Sequence, residues 1–147
     1  MRNLKIAIRA FCVLPFATGG LDFVGGAAFL KKAGVPLDDE LVTNAMLDSQ
    51  VRFWGAIWVG YGVALWRSAS QLRTQPAEFR MLCSILALSG AGRLVSLFRC
   101  GFPGVPLASA MVIELAGAAS ALRWHAALMR EVDPEQMRRD RDATEEM

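Results

Sequence analysis

Three ionisable residues stand alone inside long apolar stretches: Asp22 within 10–30, Arg93 within 81–98 and Glu114 within 100–122. A guanidinium and two carboxylates can pair with one another, hold an anion or move a proton. Arg52 and Arg99 add positive charge near the same depth, and Trp54, Trp58 and Tyr61 supply an aromatic stripe just after Arg52. Ser89, Arg93, Ser96 and Cys100 recur at steps of four, three and four, one polar line on a helix, and this line is expected to face inward. Arg52, Arg93 and Arg99 against Asp22 and Glu114 leave a local positive surplus that suits an anionic lipid headgroup or a small amphiphile.

Other chemistry lacks its residues. Cys12, Cys83 and Cys100 are far apart with no CxxC spacing, and His125 is the single histidine, so no metal set forms and no cofactor is implied. The cysteines read as buried, inert thiols. No nucleophile stands beside a base, so no catalytic residue is assigned. A net charge of +2 is too small an excess to argue for nucleic acid, and no basic and aromatic patch supports it.

The elements that carry these residues must be membrane helices. At 147 residues the chain has room for one domain, and 54% hydrophobic residues with a mean hydropathy of +0.32 exceed what a soluble domain of that size needs. A soluble bundle requires a polar stripe on each helix, and residues 105–122 offer only Ser109, Glu114 and Ser120. The expected fold is all-α: a four-helix transmembrane bundle over residues 1–130, with spans of about 10–30, 48–66, 81–99 and 105–124. A short extracytoplasmic helix after Gly34-Val35-Pro36, capped by Asp38, leads into the second span. Residues 131–147 form a charged cytoplasmic tail, in which Asp133-Pro134-Glu135 reads as a helix start and Glu135 with Arg139, and Arg138 with Asp142, fall at i,i+4 spacing.

Orientation follows from lysine and arginine. Arg2, Lys5, Arg9, Arg67, Arg73, Arg80, Arg123, Arg130, Arg138, Arg139 and Arg141 make eleven on one side; Lys31, Lys32, Arg52 and Arg99 make four on the other, diluted by Asp38, Asp39, Glu40 and Asp48. Both termini are therefore expected in the cytoplasm. The N-terminal charges followed by apolar residues also resemble a secretory leader, but the apolar character runs on through Phe29 and Leu30, longer than a leader needs.

The turn Cys100 to Pro106 is short enough to force an antiparallel hairpin, which makes the helices of Arg93 and Glu114 neighbours. All three buried charges fall in the outer half of the bilayer, about 9 to 13 Å from the nearest span end. An isolated charge near the centre costs about 2.5–3.5 kcal/mol, so the three must be paired or wet. The expected core is Arg93 with Glu114, and Asp22 either sharing Arg93 or meeting Arg52. Small residues line the sides that pack: Thr18, Gly19, Asp22, Gly25 and Gly26 on the first helix, Ala56, Gly60 and Ala64 on the second, Ala110, Glu114, Gly117 and Ala121 on the fourth.

Arg52 with FWGAIWVGYG, then GRLVSLFRCGFPG from Gly92, then Glu114-Leu115 resemble a small bacterial family of four-helix membrane proteins classed as a domain of unknown function. The likeness covers roughly residues 10–128, and Asp22 matches none of its motifs. It implies an integral inner-membrane protein and supplies no activity. The resulting expectation is a structural or accessory membrane protein with a lipid or amphiphile site in its outer half, alone, as a homo-oligomer or in a membrane complex. The rival is a small membrane enzyme or carrier acting on an apolar substrate.

Overall fold

The computed structural model describes residues 2–145, with side chains described for residues 2–130. Every element in it is a helix: α1 (Arg2–Phe11), α2 (Val13–Lys32), α3 (Asp39–Val42), α4 (Ala45–Ser70), α5 (Pro76–Cys100) and α6 (Val105–Glu145). Local chemistry sets most of the boundaries. Pro15 has no N–H to give to Phe11, so α1 and α2 meet at Cys12 with the chain still in the right-handed region, and the two run on as one long helical stretch. Asp38 accepts from the Leu41 amide at 2.7 Å and caps α3. Asn44 accepts from the Met46 and Leu47 amides, both at 3.0 Å, and caps α4. Pro76 opens α5, and the turn after it uses Gly101 and Gly104 at φ 89° and 88° to reverse the chain.

Among the described residues three stretches are long and apolar enough to cross a membrane: Arg2–Lys32, Pro76–Cys100 and Val105–Arg130. Helix α4, broken by Asp48, Arg52 and Arg67 and rich in Trp and Gly, is not among them. Helix α6 continues through Pro134 to Glu145, so the tail extends a helix and does not start a new one. The expected pairs of Glu135 with Arg139 and Arg138 with Asp142 lie outside the described side chains.

The helices pack as two pairs, α2 against α4 and α5 against α6, with a thinner contact between α4 and α5. Among the described residues no Cα of α2 comes within 8 Å of α5 or α6. The first pair crosses closely at Gly19 and Gly55: a Cβ on Gly55 would lie 2.7 Å from the Gly19 carbonyl oxygen. The second closes at Gly90, where a Cβ would meet Leu115 at 2.7 Å. This corrects the expected small-residue stripe on α4. Gly60 meets nothing, whereas Val51, Gly55, Gly62 and Leu65 are buried.

An apolar core fills one end of the molecule, built from Leu4, Ile8, Cys12, Leu65, Ala69, Leu72, Phe79, Leu82 and Cys83. His125 is buried there too, 3.1 Å from the Leu72 carbonyl and against the Phe79 ring. At the opposite end the Gly34–Pro36 loop lies against the Gly104–Pro106 turn.

Candidate functional site

Two charged clusters sit where the helices meet. The first begins with a break in α2. Gly26 has φ 59° and ψ −150°, a conformation that L side chains rarely adopt, and a Cβ there would collide with Asp48 Oδ1. A break in a membrane helix strands amides on one side and carbonyls on the other. Two residues of α4, one turn apart, satisfy both sides. Asp48 Oδ1 accepts from the Ala27 amide at 3.0 Å, and Arg52 Nη1 donates to the Phe23 and Val24 carbonyls at 3.0 and 2.8 Å. Arg52 Nε also donates to Asp48 Oδ2 at 2.7 Å, so the two charges neutralise each other while they cap the break.

This geometry corrects the expected role of Arg52. Its guanidinium is committed to Asp48 and to the α2 backbone, not to Asp22 or to an anion from outside. Asp48 is a residue that sequence reasoning misses, because beside the second span it reads as a surface charge. The signal was present: Asp48 and Arg52 at i,i+4 opposite a Gly25-Gly26 pair.

The second cluster draws on all four long helices. Arg93 of α5 donates through Nε to both carboxylate oxygens of Glu114 on α6, at 3.1 and 3.0 Å. Gly90, one turn before Arg93, lets α6 approach closely enough for that contact, with its Cβ position 3.1 Å from Glu114 Cβ. The partners are unequally covered, since the Glu114 side chain is 6% exposed and that of Arg93 is 38%. Only Nε of Arg93 is engaged; among the described residues neither Nη has a hydrogen-bond partner. Asp22 of α2 is half-buried within electrostatic reach of Arg93, yet forms no ion pair with it among the described residues.

Helix α4 contributes aromatic walls. Trp58 Nε1 donates to Thr18 Oγ1 at 2.9 Å and ties α4 to α2; the Tyr61 hydroxyl donates to the Leu82 carbonyl at 3.0 Å and ties it to α5. Their rings stack with centroids 5.0 Å apart, and Tyr61 is within electrostatic reach of Glu114. Trp54 turns away. It is 61% exposed and packs its edge against Phe53.

Three further expectations are corrected. Ser89, Ser96 and Cys100 are all exposed, because α5 turns its Phe79, Leu82, Cys83, Leu86 and Gly90 face to the protein and Arg93 lies at the margin of that face. Cys100 is therefore not a buried thiol, in contrast to Cys12 and Cys83. On α6 the buried line is Glu114, Ala118 and His125, and Gly117 meets nothing. Arg99 is exposed in the last turn of α5. No group of three or more potential metal ligands occurs among the described residues.

A family model described as a domain of unknown function (DUF4345) matches residues 3–125. No curated protein and no solved structure matches the chain. The matched segment holds both charged clusters and every helix from α1 to the core-packed part of α6, so the chain belongs to the DUF4345 family of domains of unknown function.

Proposed function

We propose that this protein is a four-span accessory protein of the bacterial inner membrane, with both termini in the cytoplasm, that holds an anionic amphiphile in its outer half at Arg93. The observation that carries the reading is the guanidinium of Arg93. It gives one N–H to Glu114 and, among the described residues, neither Nη has a protein partner, while the side chain is over a third exposed. Such donors at membrane depth gain most from a phosphate or carboxylate oxygen. Asp22 moderates the local charge, and stacked Trp58 and Tyr61 offer an apolar wall to the ligand's hydrocarbon.

The four-span reading rests on α4. It runs 26 residues, about 39 Å as a helix, and packs along α2, itself part of a span candidate. Its two outer charges cancel against each other and cap a neighbouring backbone, so their cost in lipid is far below that of two separate ions. The excess of lysine and arginine at the α1, α4–α5 and α6 ends supports cytoplasmic termini.

Native mass spectrometry of the gently extracted protein tests the site. The wild type should carry a small anionic adduct that is lost in Arg93→Leu/Glu114→Leu, which removes the pair without leaving a lone charge, and weakened in Arg93→Lys, which keeps the charge but not the planar donors. An adduct unchanged in the double variant, or none in the wild type, would leave the pair as an internal brace.

A further inference from the structure

A basic cleft lies at the other end of the molecule from Arg93. Lys5 of α1, Ser70 at the end of α4, and Arg73 and Thr74 in the loop that follows line an open cleft of about 390 Å³. Among the described residues its lining carries two cations and two hydroxyls and no carboxylate. Arg9, one turn after Lys5, donates through Nη2 to Ser70 Oγ at 3.3 Å, which leaves the Ser70 proton free to be donated into the cleft. Thr74 holds its own hydroxyl only loosely, 3.4 Å from the Gln71 carbonyl. Donors of this kind around a concave floor match the oxygens of a phosphate group.

The surroundings set the depth. Arg9 lies over the Trp66 ring, 5.2 Å from its centroid, one turn below Ser70. Tryptophan with an arginine over its face marks the boundary between headgroups and hydrocarbon. Below that level Val13, one turn past Arg9, and Val63, one turn before Trp66, are both exposed, an apolar track along which acyl chains can lie. We infer that the Lys5/Arg73 cleft binds a phosphate group at headgroup depth, presented by an anionic phospholipid of the leaflet that faces the charged ends of the helices. The site is separate from Arg93, which sits near the far end of α5.

The test uses the full chain, stripped of lipid and titrated with phosphatidylglycerol by native mass spectrometry. The titration is run in the Arg93→Leu/Glu114→Leu background, so that only the cleft is read; there phosphatidylglycerol should still bind, and adding Lys5→Gln/Arg73→Gln should lower its affinity about tenfold or more. Because Lys5 is half-buried, Arg73→Gln alone, in the exposed loop, serves as the second variant and should show a smaller loss in the same direction. Millimolar inorganic phosphate should not displace the lipid. Displacement would keep the phosphate site but make free phosphate its source. Equal binding by that background and both variants would overturn the assignment, as would binding already lost in the background.

Discussion

Arg93 and Glu114 form a pair whose two members are not equivalent, because the carboxylate is nearly enclosed and the guanidinium is over a third exposed. Removing the arginine therefore strands a charge that has no route to water; removing the acid strands one that can turn toward the open side. Arg93→Leu should destabilise the protein by about 2 kcal/mol, below the 3–5 kcal/mol of a fully buried pair because the Arg93 side chain is over a third exposed. Adding Glu114→Leu should recover most of that loss, and Glu114→Gln alone should still cost more than the double change. Thermal unfolding in detergent reads all four forms. Equal losses in single and double variants would mean that the two residues do not depend on each other.

At the scale of elements, the break in α2 and the Asp48–Arg52 turn of α4 are one device. The Gly26 conformation is available to glycine and strained for other residues, and the backbone groups it frees are held by side chains 21 to 29 residues away. Gly26→Ala should cost about 2 kcal/mol or more from backbone strain, before the collision with Asp48 is added. Asp48→Ala should loosen the break without that strain. Hydrogen exchange at the Ala27 amide should quicken in Asp48→Ala and stay slow in Asp48→Asn, whose side-chain oxygen can still accept from it. Exchange at Ala27 that ignores residue 48 would remove the capping role. The i,i+4 spacing of Asp48 and Arg52 was legible from the chain, and so was Gly25-Gly26. That they act on each other was not, since it requires α2 and α4 to lie side by side in one register.

For the whole molecule, the packing is uneven: two tight helix pairs joined by a core at one end and a loop contact at the other. Its three thiols report on that arrangement, because Cys12 and Cys83 are enclosed in the core while Cys100 is exposed at the end that the proposed orientation puts outside. A membrane-impermeant maleimide added to spheroplasts should label one thiol per chain in the native protein and three after denaturation, and Cys100→Ser should abolish the native label. Labelling confined to inverted vesicles would reverse the proposed orientation.

From the chain alone came the helical class, the apolar stretches, the hairpin that makes the helices of Arg93 and Glu114 neighbours, and the family resemblance. These follow from quantities summed along the sequence: hydropathy over a window, glycine and proline at a turn, charges too costly to leave alone in lipid. Tertiary structure decided which face of each helix turns inward. Ser89, Ser96 and Cys100 face outward although they share a line with Arg93, and Gly55 and Gly62 pack where Gly60 does not. The physical reason is that a membrane helix has no hydrophobic contrast between lipid and protein to orient it, so its rotation is set by close contacts with another helix, and those contacts are properties of a pair.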